Sequence, residues 1–324
     1  MIVHADPRPF VINVTMDFGP RKEDAKVLKK YANLKDGRYI TRDILVPGDI
    51  SLSALHFTIQ RAFGFMDNHL NRFYLADEDF HAITKSKMKN YRKLIGIIFK
   101  LQDAEDPDIF WNEGEDDVAA DIDDEKWMRS KYTGPYKYTG YSELPENALK
   151  EYKALAQYYK KSTGKKLLDA EFNERCLIDD LFESCFNDLM SRLPLNALLA
   201  PKGKKPDYSH MRPEFIIDEE NELYPTLSRP VADKLLFEYD FGDGWKFEIT
   251  RYSDYAISDK DYRYVVESYR PRVLYAEGSN LIEDVGGTYS FASFLCEYFI
   301  EKDRETIEWA GEWSAVLPPL EEML

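Results

Sequence analysis

One segment, KLLFEYDFGDGWKFEITR at 234–251, constrains the fold more than any other part of the chain. Apolar residues occupy alternate positions before its glycines and alternate positions again after them: Leu235, Phe237, Tyr239, Phe241, Trp245, Phe247 and Ile249. Two short alternating runs joined by a glycine-containing turn predict a β-hairpin with one buried face. Because a one-residue slip would turn every side chain to the other face, burial of that face must fix the register.

The numbering of these apolar positions also restricts the turn, because all of them are odd. In an antiparallel pair, odd residues lie opposite odd residues only if the loop contains an odd number of residues. A two-residue Asp-Gly turn would therefore send the two apolar faces to opposite sides of the sheet. We predict a three-residue loop at 242–244, or a five-residue version, with a glycine at positive φ.

The other patterns at the two ends of the chain mix strands with helices. We predict strands at 10–18, 39–46, 71–75 and 262–267, and helices at 52–63, 288–301 and 303–310. Ser51 is the expected N-cap of the helix at 52–63, and Gly64 is expected to end that helix. Gly311 is expected to end the helix at 303–310. This mixture has no regular βαβ alternation, so it predicts an α+β fold with a mixed or antiparallel sheet and packed helices.

Residues 77–232 have a different character, with helical patterns near 144–159 and 167–193 separated by clusters of Gly, Pro and Lys. We therefore predict an α+β domain formed by residues 1–76 and 233–324, interrupted by a mainly helical subdomain at 77–232.

The charge of this insertion is very uneven. Residues 103–125 contain twelve acidic residues and no basic one, so they account for most of the net charge of −16. The neighbouring segment 85–100 contains six basic residues and no acidic one. The acidic run can be a solvated loop that folds against its basic neighbour, a docking segment for a protein partner, or a nucleic-acid mimic. The basic segment is the candidate for contact with nucleic acid.

Composition excludes several classes of protein. No apolar run approaches the roughly 18 residues that span a bilayer, and the start lacks the pattern of a signal peptide, so we expect no membrane association and a cytoplasmic location. The three cysteines have no CxxC spacing and indicate neither a disulfide framework nor a zinc site. Phosphate-binding glycine motifs, H-E-x-x-H and G-x-S-x-G are also absent.

Three ordered blocks carry a resemblance to a known family. The first is ITRDILVPGDISLSALHFTIQRAFGF at 40–65, followed by Asp67-Asn68-His69-Leu70; the second is YDFGDGW at 239–245. The third is the E-D-x-G-G pattern at 283–287, followed by Trp309 and Gly311. The chain thus resembles the Ri-plasmid ORF-three-like family (plasmid pRi ORF-3-like domain), whose members often bear the name of insertion-element passenger TnpR proteins.

The resemblance implies a compact α+β domain assembled from both ends of the chain, in a plasmid or mobile-element context, with no established activity. This chain departs from the family pattern at two aromatic positions. Phe65 replaces the usual Trp, and Phe247 stands near the usual His. A Cys-Gly-Gly stretch of the family is also replaced before Glu283. No role of that histidine or cysteine therefore carries over.

Several polar residues near the two glycine-rich blocks are candidates for a site. If the hairpin loop folds over the turn at His69, a cleft of carboxylates and imidazoles results, suited to a divalent metal or to acid/base chemistry. Its candidate members are His56, His69, Asp240, Asp243, Glu283 and Asp284. Alternatively, His56 is a core histidine, the two hairpin aspartates bind turn amides, and Glu283 with Asp284 caps the helix near Thr288. A peptide or anion contact is a third interpretation.

The aromatic candidates for a binding surface are Tyr132, Tyr136 and Tyr138 in the insertion, with Trp245 in the hairpin. Together with the resemblance and the charged insertion, these residues lead us to expect that the protein is a non-enzymatic binding or regulatory module without a cofactor. Its charged insertion would contact a protein partner. A metal-dependent hydrolase or nuclease built on the carboxylate and imidazole cleft is the alternative. A nucleic-acid-binding accessory protein is the second alternative.

Overall fold

The computed structural model describes residues 8–19, 21–48, 50, 52–65, 69–88, 90, 146–174, 195–203, 213–217, 223–227 and 232–316. Its strands are β1 (Phe10–Asp17), β2 (Tyr39–Val46), β3 (Asn71–Leu75), β4 (Pro213–Ile217), β5 (Leu223–Leu227), β6 (Lys234–Tyr239), β7 (Trp245–Arg251) and β8 (Arg272–Glu277). Its helices are α1 (Lys22–Tyr31), α2 (Leu52–Phe63), α3 (Asp77–Thr84), α4 (Glu146–Thr163), α5 (Leu195–Leu198), α6 (Asp259–Ser268), α7 (Gly287–Cys296) and α8 (Arg304–Val316).

Six of these strands form one antiparallel sheet in the order β3-β6-β7-β1-β2-β8. Strands β4 and β5, from within the insertion, pair separately as a two-stranded sheet. The α+β prediction is confirmed. All six strands of the main sheet come from outside 77–232, so the two ends of the chain build it together.

The central hairpin has the predicted parity. Tyr239 lies opposite Trp245 and Phe237 lies opposite Phe247, so the loop contains five residues, 240–244, the longer of the two predicted versions. Gly244 has a φ of 68°, the positive value expected of the loop glycine. The paired aromatic side chains are almost completely buried, which confirms that one face of the hairpin belongs to the core.

Helices α1, α2 and α7 contribute side chains to the core that this face shares. Phe63 of α2 contacts Phe247 with 4.6 Å between ring centroids, and Phe18 stacks on Phe291 of α7 at 5.6 Å. Leu28 of α1 belongs to the same cluster. Part of the insertion joins it as well, because Leu167 and Leu168 are buried there. That the insertion is a separate subdomain stays a prediction.

Two of the elements predicted near the C-terminal end were wrong. Residues 262–267 are not a strand but lie within α6, which Ser258 caps by accepting a hydrogen bond from the Asp261 N–H at 3.1 Å. Only Val265 of this helix is buried, where it meets Val11 and Leu45 on the other face of the sheet, so its apolar signal was weak.

The second error concerns the end of α8. This helix continues through Gly311 to Val316, because Gly311 does not adopt the left-handed conformation that would end it. Helix α7 ends at Cys296, and a π-helical turn, Glu297–Glu301, continues it, so the two together lie close to the predicted limits of 288–301.

A buried arginine joins β2, α2 and the segment after β8. Arg42 is fully buried, and within the described part of the chain its guanidinium has no carboxylate partner. It instead donates hydrogen bonds to five carbonyl oxygens, those of Ala62 (2.8 Å), Thr41 (2.9 Å), Glu277 (2.8 Å), Gly278 (3.1 Å) and Ser279 (3.4 Å). Burial lowers the pKa of Arg42 to about 10. These five carbonyl dipoles, of which only that of Ala62 lies at the end of α2, offset the cost of burying the charge of Arg42.

We predict that Arg42→Leu lowers the free energy of unfolding by about 3 kcal/mol or more, because several buried carbonyls lose their donor. Urea unfolding followed by circular dichroism would measure this. Arg38→Gln is the matched control. Arg38 pairs with Asp17 at the surface, where an ion pair contributes at most about 1 kcal/mol. Equal losses in the two variants would contradict the structural role of Arg42.

Candidate metal centre

Three chain segments meet where the central hairpin turns. Because Asn71 of β3 lies opposite Tyr239 of β6, His69 and Asp240 extend side by side beyond the ends of these paired strands. The Asp240 N–H donates to the Leu70 carbonyl at 2.9 Å, which continues the pairing by one residue. The third segment is the stretch before α7, which contains Glu283 and Asp284.

The hairpin loop and the start of α7 approach each other backbone to backbone. The Gly286 N–H donates to Asp243 Oδ1 at 3.1 Å. A Cβ atom at position 287 would lie only 1.9 Å from the Asp243 carbonyl oxygen, and Gly287 has a φ of 66°. Position 287 therefore requires glycine both for space and for conformation.

We predict that Gly287→Ala lowers the free energy of unfolding by at least about 2 kcal/mol. The new methyl group would force the hairpin loop and α7 apart, and the left-handed backbone conformation at this position is unfavourable for alanine. Chemical denaturation would measure this. Gly311→Ala is the control, since a Cβ there meets no atom within 4 Å and alanine favours a helix by about 1 kcal/mol. A Gly287→Ala protein as stable as the wild type would contradict the close contact.

The three segments bring together His69, Asp240 and Asp284. His69 Nε2 lies 3.7 Å from Asp240 Oδ2 and 3.4 Å from Asp284 Oδ1. One ligand atom from each of the three residues lies within 4.8 Å of the others. The side chain of Asp240 is 9% exposed, that of His69 29% and that of Asp284 55%, so the cluster opens to solvent on the Asp284 side.

His69 Nε2 is itself buried, and it makes no hydrogen bond to any described residue. Two carboxylates face it at distances longer than a good hydrogen bond. Among the described residues, this buried ring nitrogen therefore has no close hydrogen-bond partner, and its lone pair could bind a metal ion.

Asp240 has a second function that holds its carboxylate in place. Its Oδ1 accepts hydrogen bonds from the Gly242 N–H (3.0 Å) and the Asp243 N–H (3.2 Å), while Oδ2 faces His69. Both Asp240 (φ 53°) and Asp284 (φ 59°) have left-handed backbone conformations, which Asp and Asn tolerate better than most residues. Thus the predicted binding of turn amides and the proximity to His69 occur together in one side chain.

Asp243 adds a further carboxylate at the edge of this cluster. Burial raises its pKa, and the negative charges of Asp240 and Asp284 raise it further, against hydrogen bonds from the Gly287 and Gly286 amides. Its Oδ2 is buried and makes no hydrogen bond to the described residues. The three aspartates therefore concentrate negative charge around one imidazole, and a bound cation would relieve their repulsion.

The structure places the other candidates elsewhere. Glu283 is fully buried and accepts a hydrogen bond from the Tyr239 hydroxyl, outside the cluster around His69. His56 is fully buried, as the core interpretation predicted, with its ring edge-on to Phe57 at 4.9 Å.

Trp245 was wrongly predicted as a binding surface, because its ring is fully buried and packs against Phe65 at 5.6 Å. Tyr132, Tyr136 and Tyr138, and the acidic run 103–125, lie outside the described residues.

The interpretation of Glu283 and Asp284 as the cap of α7 was also wrong. Gly286 is the N-cap residue, and no side chain of its own segment caps the helix. Asp243, from the hairpin loop, accepts the hydrogen bond of the Gly286 amide instead. Sequence reasoning placed this cap on Glu283 and Asp284 because a contact across 43 positions leaves no local signal.

Comparison with known proteins assigns no activity to this chain. A crystal structure of MM3350, a protein of unknown function from Methanosarcina mazei Go1, is similar with a TM-score of 0.36 and 12% identity over 94% of this chain and 90% of that one. None of the curated proteins compared with the chain matches it. No helix in the described ranges has the length and apolar character needed to cross a membrane.

The profile of one protein family does match, over residues 32–126 and 195–317, which together make up about two thirds of the chain. The matched ranges include the strand, helix and hairpin blocks that carried the resemblance in the sequence, and they contain His69, Asp240 and Asp284. The chain therefore belongs to the plasmid pRiA4b ORF-3-like protein family.

Proposed function

We propose that this protein binds a divalent cation through His69, Asp240 and Asp284. The observation that supports the proposal is the convergence of their three ligand atoms within 4.8 Å, together with the buried His69 Nε2 that makes no hydrogen bond in the described part of the chain. The three residues come from separate segments, and the backbone contacts of Leu70 and Gly286 hold those segments together.

The distances suit an ion after a small adjustment. Ligand atoms about 2.0–2.2 Å from a tetrahedral cation lie about 3.3–3.6 Å from each other. The separations of 3.4 Å and 3.7 Å from His69 Nε2 are close to that value. Asp284 is the most exposed of the three side chains, and among the described residues it makes none of the turn-amide contacts that hold Asp240, so it can make the adjustment.

The donor set also restricts the ion. An imidazole nitrogen favours zinc and other first-row transition metals, whereas carboxylates also accept manganese and magnesium. One nitrogen with two carboxylates therefore favours Zn²⁺ or Mn²⁺ over Mg²⁺ and Ca²⁺, which prefer ligand sets made only of oxygen.

We predict that the wild-type protein binds one Zn²⁺ or Mn²⁺ ion with micromolar or tighter affinity in isothermal titration calorimetry. Asp240→Asn and Asp284→Asn should each weaken binding by about tenfold or more, because each removes a charged ligand. Asparagine tolerates the left-handed conformation at both positions and keeps an oxygen for the turn amides, so both variants should fold. Metal content of untagged, gently purified protein, measured by mass spectrometry, provides an independent readout.

Glu248→Gln is the control for nonspecific charge, because Glu248 is a half-exposed acid paired with Lys234 on β6. It should bind the ion like the wild type. Absence of binding in the wild type, or equal binding by wild type and both asparagine variants, would refute the metal site.

Metal-dependent hydrolysis is a second candidate function, and the exposure of Asp284 favours it. Catalytic zinc sites have three protein ligands and an open position for water, whereas structural sites are closed by four. Here three side chains converge on the described part of the site, and its Asp284 side opens to solvent. Such a bound cation would supply an activated water at neutral pH.

We predict that, if the protein is a hydrolase, metal-loaded protein cleaves either bis(p-nitrophenyl) phosphate or a peptide. The activity should disappear in Asp240→Asn and after chelation, and return when the metal is restored to the wild type only. Turnover that persists in Asp240→Asn would identify a contaminant and remove this candidate, while leaving the calorimetric test of metal binding unaffected.

A binding or regulatory role in a plasmid context remains part of the proposal. The acidic run 103–125 supports a protein partner, and the basic segment 85–100 supports nucleic acid as the alternative. The use of cysteine supports a cytoplasmic location.

A further inference from the structure

A groove of about 450 Å³ lies beside the candidate metal centre, between the start of α7, the π-helical turn and α8. Asp284 is one of the residues that line it. Phe294 and Trp309 form an aromatic wall, and Glu297 and Glu305 also line the groove. Its volume falls in the range of about 300–1,000 Å³ that is typical of sites for small molecules and short peptide segments.

The charged residues that line this groove are all negative. Three of its lining residues, Asp284, Glu297 and Glu305, are acidic, and no lysine, arginine or histidine is among the described residues that line it. The hydroxyl of Thr306 donates to Glu297 Oε2 at 3.3 Å, which orients that carboxylate from the neighbouring helix. A groove of this composition attracts a cation and repels an acidic ligand.

The aromatic wall restricts the type of cation. Phe294 and Trp309 meet edge to face, with 5.9 Å between their ring centroids and 78° between their planes. Tryptophan is the best aromatic partner for an organic cation, and its indole also packs against the methylene groups of a long side chain. A hydrated metal ion uses neither property.

We propose that this groove binds the lysine or arginine side chain of a peptide, with the ammonium or guanidinium group among the three carboxylates and the methylene groups against Trp309. The volume accommodates the basic side chain together with adjacent backbone, which favours a peptide over a single amine. The negative charge of the groove comes from its own carboxylates and not from a bound metal ion. The inference therefore goes beyond the proposed function, and it can succeed or fail whether or not the protein binds a metal.

The test is calorimetric titration of the full chain, without added metal, with acetylated and amidated Gly-Lys-Gly and Gly-Arg-Gly peptides. The matched ligand is the same peptide with norleucine in place of the basic residue. We expect the better basic peptide to bind at least about tenfold more tightly than the norleucine peptide, and to lose affinity as salt is raised. Glu297→Gln combined with Glu305→Gln should abolish that difference while preserving the shape of the groove.

A matched variant tests the specificity of the groove. Glu308 lies on the same helix, where it pairs with Arg304 at 2.7 Å, and it does not line the groove, so Glu308→Gln should bind the peptide like the wild type. Because the peptide titration contains no added metal and the metal titration contains no peptide, failure of the metal site and failure of the groove are distinguishable.

Three results would overturn the proposal. The first is equal binding of basic and norleucine peptides. The second is undiminished binding by a Glu297→Gln, Glu305→Gln protein that unfolds at the wild-type temperature. The third is binding of spermidine as tight as that of the peptides, which would assign the groove to a free polyamine.

Discussion

The contact between the hairpin loop and the first residues of α7 determines the geometry of the whole site. At this point the carbonyl of Asp243 lies where a side chain of residue 287 would begin, so only glycine permits the approach. The approach in turn places Asp284 beside His69 and Asp240. The cluster of His69, Asp240 and Asp284 thus depends on this contact, because Asp284 belongs to the segment that the contact positions.

The protein accommodates buried charge by the same physical means in two places. The guanidinium of Arg42 is surrounded by carbonyl oxygens, including that of Ala62 near the end of α2. The carboxylates of Asp240 and Asp243 accept backbone N–H groups from the loop and from the start of α7. Backbone dipoles thus stabilise both signs of charge. At the Asp cluster this stabilisation is incomplete, since burial and then the neighbouring carboxylates still raise the pKa of Asp243.

The candidate metal centre and the groove share Asp284, so the two proposed sites meet at one side chain. Its carboxylate faces an imidazole nitrogen and also lines the groove with the aromatic wall. A cation bound by His69 would reduce the negative charge near Asp284, whereas Glu297 and Glu305 would keep their charge. Binding at the two proposed sites would therefore be electrostatically coupled through this exposed side chain, although neither requires the other.

The spacing of apolar residues was sufficient to predict secondary structure wherever buried side chains recur with a strict period. The odd-numbered apolar residues from Leu235 to Ile249 determined the parity of the hairpin loop, because only an odd loop buries both arms on one face. Strand β1 and helix α2 were likewise predictable, because Phe10, Ile12, Val14 and Met16 follow a period of two and the apolar residues of α2 a period of 3.6. Pattern failed for α6, whose single buried residue, Val265, leaves no clear period, and for edge strand β8, which is only partly buried.

The sequence by itself determined the fold class, the hairpin with its odd loop and the set of polar residues from which a site could form. Only the tertiary structure decided which of them meet, because the three segments lie far apart in the chain and their approach depends on backbone contacts. It placed His69, Asp240 and Asp284 together, directed Glu283 to the hydroxyl of Tyr239, and buried Trp245 in the core. Residue type and spacing describe what each side chain can do, whereas long-range packing selects its neighbours.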